Sequence, residues 1–264
     1  MTRLTFENVW VRYGSGRSSH DAVRGVDLVV PDGRLVGLVG ESGSGKSTLA
    51  RAAVGLQEPS RGRILVDDVD VVGARGKTAA VRRQVQMVFQ DANSSLNPRM
   101  SIGASIEEAF VVRGAGGGRA GRRAEVATLL ELVELDPARA GDLPSQLSGG
   151  QRQRVSIARA LAAEPRILLA DEITSALDVS VQGTVLNLLM RVQRELDLTV
   201  LFISHNLAVV RQLCDDVAVM KDGEIVEVGP AASVIDDPQH PYTQELIAAI
   251  PRVGTPLFDR GAHR

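Results

Sequence analysis

The chain has 264 residues; 44% are hydrophobic, and 30 Lys and Arg against 32 Asp and Glu give a formal net charge of −2. This excludes a disordered chain, which could not bury enough apolar surface to offset its ordering entropy, and it gives no overall pull toward nucleic acid or anionic lipid. The one cysteine, Cys214, excludes an internal disulfide, a Cys-rich zinc site and a cysteine-ligated iron–sulfur cluster, and it points to a reducing cytoplasm. The length suits one large domain or a core with a subdomain. No apolar run approaches the roughly 20 residues of a membrane-spanning helix, and residues 1–6 lack the apolar stretch of a signal peptide. The expectation is a protein that meets a membrane only through a partner.

In chain order, Leu4, Phe6, Val9 and Val11 lie near strand spacing, and Val23 to Val30 reads as a second strand. Pro31-Asp32-Gly33 is a turn. Leu35 to Val39 is apolar throughout, as in a strand buried on both faces. A glycine-rich turn leads into a helix from about Lys46 to Leu56. Further strands are expected at 62–67, 84–89, 166–170, 199–204 and 217–220. Between Asp91 and Ala163 the pattern turns helical, at 102–112, 122–134 and 151–163, so a helical insertion sits inside an α/β core. Residues 114–123 (GAGGGRAGRR) suit either an RNA-binding tail or a solvated loop, and their shortness favours the loop. Val181, Val185, Leu188, Leu189, Val192 and Leu196 share one helical face, which is a core-packing pattern. There is no internal repeat.

Gly40-Glu41-Ser42-Gly43-Ser44-Gly45-Lys46-Ser47-Thr48 matches the phosphate-loop pattern, between a buried strand and a helix as that chemistry requires. Glycines let the backbone wrap a phosphate, with the amides of Gly43 to Lys46 turned inward and the helix N-terminus adding partial positive charge. Lys46 is the cation for the β- and γ-phosphates, and the Ser47 hydroxyl is a Mg²⁺ ligand. Arg166 to Glu172 is a buried strand ending in two carboxylates, where open α/β sheets bind ligands. Asp171 suits metal binding and Glu172 a general base for hydrolysis. Ser148-Gly149-Gly150-Gln151 opens another helix, a second anion site with no lysine.

With Leu147 this last run reads LSGGQ, and here the sequence resembles the ATP-binding cassette family, over about residues 4–251. The resemblance implies an α/β phosphate-loop NTPase core with an N-terminal antiparallel β subdomain and an inserted α-helical subdomain. It divides the chain into a core at 1–90 and 164–235, a helical insert with the signature at 91–163, and a short tail at 236–264. It implies ATP and Mg²⁺ as ligands. Gln90 resembles the Q-loop glutamine, a metal and water contact; Asp178, in Ser175-Ala176-Leu177-Asp178, the D-loop aspartate; His205 the switch histidine at the γ-phosphate; and Tyr13 the aromatic that stacks on adenine. Metal contacts would be Ser47, Gln90 and Asp171, and the catalytic set Glu172, His205 and Gln90.

Phe89 to Asp91 through Ser94 to Met100, and His240-Pro241-Tyr242-Thr243 with Leu246, are similar to the oligopeptide, dipeptide and nickel importer subfamily. Ile173 departs from the proline usual there, and the tail lacks the cysteine cluster many such subunits carry. The resemblance implies a transport-coupled ATP hydrolase at the cytoplasmic face of the membrane. Its partners would be a second cassette, like or unlike, whose phosphate loop faces this chain's Ser148–Gln151, together with two permease subunits and, indirectly, a solute-binding protein. The alternative is a cassette ATPase acting on nucleic acid or the ribosome. One cassette, no heptad run and one cysteine weigh against it, and no nucleic acid partner is expected.

Overall fold

The computed structural model describes residues 2–14, 16, 19–91, 95–113 and 118–249. Ser94, the first half of the glycine-rich loop and the tail beyond Ala249 lie outside the described residues.

Two sheets organise the chain. The first is antiparallel, in the order β2 (His20–Val30), β1 (Leu4–Tyr13), β4 (Arg61–Val66), β5 (Val69–Asp70). Its inward residues, Leu4, Phe6, Val9 and Val11, are buried between half-buried or exposed neighbours, as a one-sided sheet requires, with the alternation slipping at the irregularity between Phe6 and Val9. The second sheet runs β10 (Glu224–Pro230), β9 (Asp216–Lys221), β3 (Leu35–Val39), β8 (Thr199–Ile203), β7 (Ile167–Asp171), β6 (Val85–Val88). Its central pairs are parallel, and only β10 runs antiparallel to its neighbour. Strands β3, β7 and β8 are buried at every residue, so they read as near-continuous apolar runs, with only Thr199 at the start of β8 and Asp171 at the end of β7 polar.

Helix α1 (Lys46–Ala53) follows β3, and α2 (Lys77–Arg82) precedes β6. A helical stretch is inserted between β6 and β7: α3 (Ile102–Arg113), α4 (Arg119–Leu132) and α5 (Gly149–Leu161), with 3-10 turns at Pro137–Gly141 and Pro144–Gln146. Ile106, Phe110, Leu130 and Val155 fill its interior. Helix α6 (Val179–Glu195) shares a core with β7 and β8 through Val185, Leu189 and Val192, α7 (Leu207–Leu213) links β8 to β9, and α8 (Ala231–Asp236) and α9 (Pro241–Ala248) end the described chain. No described helix is long and apolar enough to cross a membrane.

Three expectations need correction. Helix α1 stops at Ala53, not Leu56, because Gly55 turns left-handed (φ 76°) and Leu56 N donates back to Arg51 O, leaving Leu56 exposed. Helix α4 starts at Arg119, so the second half of the expected loop is helical; arginine and alanine are good helix formers. Leu196 does not join the packed face of α6. It caps the helix and is 45% exposed, and after a left-handed turn at Asp197 it is Leu198 that enters the core. Strands β5 and β10 and helices α2, α7, α8 and α9 were not marked by periodicity, being short or at an edge.

Candidate functional site

The phosphate loop joins β3 to α1 at the C-terminal edge of the parallel sheet. Gly45 adopts φ 105°, and a Cβ there would lie 2.3 Å from Ala22 O, so only glycine lets the loop pass β2 this closely. The tip of the β9–β10 hairpin grips the loop from the other side: Gly223 N donates to Ser44 O at 3.0 Å. Of the four amides expected to turn inward, that of Ser44 is engaged within the loop, donating to Glu41 O at 3.2 Å.

Lys46 is 4% exposed. Its Nζ donates to Gly40 O at 2.9 Å, Glu41 O at 2.7 Å and Ser44 Oγ at 3.3 Å. Burial pulls its pKa down, opposed by the charges of Glu172, Asp171 and Glu41. The ammonium is therefore held by the loop's own carbonyls, at the loop's centre. Ser42 and Gly43 are exposed at the mouth. Tyr13, at the end of β1, brings its Oη within 3.4 Å of Thr48 Oγ1 and keeps 39% of its surface exposed, which places an open aromatic beside the start of α1.

Asp171 and Glu172 are adjacent but turn to different tasks. Asp171 is 3% exposed, and its Oδ1 accepts from Ser47 Oγ at 2.9 Å. Burial raises its pKa, and the Ser47 hydroxyl opposes that. Glu172 leaves the strand in the left-handed region, at φ 46°, a conformation costly for a non-glycine residue and one that clusters at functional sites. That turn aims its carboxylate at the mouth of the site. Gln90 Nε2 donates to Glu172 Oε2 at 3.0 Å, and His205 Nδ1 lies 3.5 Å from Oε1. Ser175, which sequence reasoning placed only within the D-loop run, accepts from Gln90 Nε2 at 3.2 Å and donates to Glu172 O at 3.0 Å. Glu172, Ser175, Ser204 and His205 line a cavity of about 60 Å³. That is enough for a water molecule or two.

The residues fit a magnesium nucleotide. Ser47 and Asp171 already pair at 2.9 Å, and Gln90 spends its Nε2 on Glu172, leaving Oε1 as a ligand atom. Among the described residues no group of three or more His, Cys, Asp or Glu gathers for a metal. One carboxylate with hydroxyl and amide oxygens is the donor set of an ion that is otherwise held by phosphate and water, which is the habit of Mg²⁺.

The other expected residues sit elsewhere. Ser148 caps α5, its Oγ accepting from Gln151 N at 3.3 Å while Gln151 Oε1 accepts from Ser148 N at 2.9 Å. Ser148 and Gly149 are exposed and Gly150 is buried. Asp178 caps α6 by accepting from Val181 N at 3.0 Å, and these bonds, with that from Ser180 Oγ foremost, hold its carboxyl below the usual range. Neither Ser148 nor Asp178 makes a hydrogen bond to the phosphate loop in the single chain. One contact was missed altogether: Tyr242, in α9, accepts from Glu41 N at 3.0 Å. The His-Pro-Tyr run was visible in the sequence, but nothing local in it pointed to the loop.

The fold and site together define a phosphate-loop NTPase of the cassette type. A family model described as ABC transporter matches residues 23–175, and one described as oligopeptide/dipeptide transporter, C-terminal region, matches residues 226–261. The chain belongs to the ABC transporter family. It is 48% identical over 245 residues to the glutathione import ATP-binding protein GsiA of Salmonella choleraesuis, covering 92% of this chain and 38% of that protein. The Escherichia coli K12 protein of the same name is 48% identical over 232 residues, 87% of this chain and 37% of its own length. The chain thus spans well under half of these curated relatives. Among solved structures it resembles the dimeric ATP-binding cassette MJ0796 bound to ADP and Pi (TM-score 0.77, 32% identity, 86% of this chain and 98% of that one). It also resembles cbiO1 of Clostridium perfringens, part of an ABC transporter complex (TM-score 0.77, 29% identity, 89% and 90%).

Proposed function

We propose that this chain is the ATP-binding and ATP-hydrolysing subunit of an ABC importer that powers uptake of peptides or a related small solute through a partner permease. The observation that carries the reading is the carboxylate of Glu172, held between Gln90 and His205 beside the Ser47–Asp171 pair and the phosphate loop. In this reading Tyr13 stacks on the adenine, and residues 40–48 hold the phosphates by backbone amides and by Lys46. Mg²⁺, when bound to Ser47, Asp171 and Gln90, neutralises phosphate charge. Glu172 takes a proton from the attacking water, Gln90 fixes that carboxylate, and His205 orients toward the γ-phosphate.

Ser148–Gln151 and Asp178 act across an interface with a second cassette, a copy of this chain or a sister. The exposed α5 N-terminus and the dimeric state of the solved MJ0796 cassette support this. The core is residues 1–90 and 164–235, the insert 91–163 and the tail 236–264. The permease docks on a groove of about 530 Å³ between the end of β6 and the insert, lined by Phe89, Glu108, Val111 and Arg159; Val111 is 82% exposed. A solute-binding protein acts indirectly, and the chain sits at the cytoplasmic face of the membrane through the permease. The match at residues 226–261 and the glutathione importers support a peptide-type cargo.

The test is affinity capture of the tagged chain from native membranes, with identification of its partners, alongside ATP hydrolysis by the captured assembly. Recovery of multi-span permeases with ATPase activity is the expected result. Recovery of ribosomes or nucleic acid without a permease would overturn the reading.

A further inference from the structure

Tyr242 is 4% exposed, and its Oη accepts the backbone N–H of Glu41, 201 positions away in sequence, at 3.0 Å. That N–H belongs to the Gly40–Glu41 peptide, whose carbonyl, Gly40 O, accepts from Lys46 Nζ at 2.9 Å. A single peptide unit is therefore held at both ends, by the tail on one side and by the phosphate-loop lysine on the other. The unit is planar, so rotating it away from Tyr242 also turns its carbonyl away from Lys46.

The phenol is itself well fixed. Lys221 Nζ stands 4.5 Å from the ring centroid. His240 Nδ1 caps α9 by accepting from Tyr242 N at 3.2 Å, and Pro241 presets the first turn. The Glu227 carboxylate, on β10, accepts from Gln239 N at 2.9 Å and His240 N at 3.1 Å, which ties the turn before α9 to the sheet. Burial pushes the Tyr242 pKa up, so the group remains a neutral phenol at neutral pH. The ring alone would glue α9 to the core. It is the hydroxyl that bonds to the loop.

We infer that Tyr242 is a positioning residue for the phosphate loop: through the Gly40–Glu41 peptide it keeps Lys46 in place to receive nucleotide, so that docking of the tail sets nucleotide affinity. The inference rests on the reading of residues 40–48 as a nucleotide site. Loss of one net hydrogen bond corresponds to a change of about 2- to 10-fold.

The experiment compares the 264-residue wild-type chain with Tyr242→Phe, His240→Ala and Lys46→Ala. Three quantities are measured: affinity for ADP with MgCl2 by titration calorimetry, melting temperature, and amide exchange at Glu41 by NMR. In the wild type the Glu41 amide is protected. In Tyr242→Phe it exchanges faster, and ADP binds about 2- to 10-fold more weakly. His240→Ala loosens the helix cap without touching Oη; it lowers the melting temperature at least as much as Tyr242→Phe but weakens ADP binding less. An unprotected Glu41 amide in the wild type, unchanged ADP affinity in Tyr242→Phe, or equal affinity losses in the two tail variants would each overturn the inference. If instead the nucleotide reading itself fails, the wild type and Lys46→Ala bind ADP equally poorly. That pattern overturns both and is distinguishable from a failure of Tyr242 alone.

Discussion

Gln90 Nε2 donates to Glu172 Oε2 at 3.0 Å, joining two residues 82 positions apart at the ends of β6 and β7. Gln90 begins the segment that leads into the helical insert, so if a permease docks there as proposed, displacement of the insert would act on the Glu172 carboxylate through this bond.

Replacing Glu172 by Gln removes the base but preserves the shape and an acceptor for Gln90. ATP binding should survive, while turnover falls by at least about 100-fold, the scale of a lost general base. The variant should also accumulate as a nucleotide-bound dimer. Sizing chromatography with Mg-free ATP, with any sister subunit present, checks this; a persistent monomer at full ATP occupancy would count against the role of Glu172.

Lys46→Ala removes the one cation within residues 40–48, which the proposed reading assigns to the nucleotide phosphates. Nucleotide affinity and turnover should both fall by at least about 100-fold, as when a preorganised charge-stabilising donor is lost. Near-wild-type hydrolysis would show that the loop's lysine serves only to hold its own carbonyls.

Ser148→Arg should leave nucleotide affinity of the isolated chain unchanged and abolish turnover of the assembled transporter. Helix α5 starts in the insert, and the Ser148 side chain and N–H are paired with Gln151 in the capping box, so in the proposed reading the helix N-terminus meets a phosphate in a partner's site. Losing the cap costs about 1 kcal/mol. The melting temperature should drop by about 2–4 °C. A loss of ADP affinity in the isolated variant would place the signature in cis.

Asp171→Asn should raise the stability of the nucleotide-free chain at neutral pH while ending hydrolysis. Burial raises the Asp171 pKa above its ordinary 3.8, so protonation favours the folded state. The stability linked to that proton is fully present below the unfolded value and is lost as pH rises through the higher folded value. Asn stays neutral throughout. The variant's advantage in melting temperature should therefore be small below about pH 4 and widen above it. Thermal melts across pH 3.5 to 8 measure it, and a gap that does not grow with pH would refute the argument. The site then trades stability for function, as buried functional carboxylates do.

Elements whose signal is local are legible in the amino-acid order. Leu35 to Val39 and Ile167 to Ala170 are apolar runs that must be buried on both faces, and Gly40 to Thr48 is a contiguous match to the phosphate-loop pattern. Asp171 and Glu172 end a buried strand, and Ser148 with Gln151 is a helix cap three residues apart. Each depends on neighbours within a few positions, so it can be read off the chain. Features that depend on distant chain segments are fixed only once those segments pack together. The left-handed turn at Glu172, which sends its carboxylate to Gln90 and His205 while Asp171 goes to Ser47, follows from strand pairing rather than local propensity. Leu196 lost its place in the core to Leu198 because a helix end, not its periodicity, chose which residue turned inward. The contact of Tyr242 with Glu41 exists only because β9, β10 and the tail fold back onto the loop, and no spacing rule connects residues 201 positions apart.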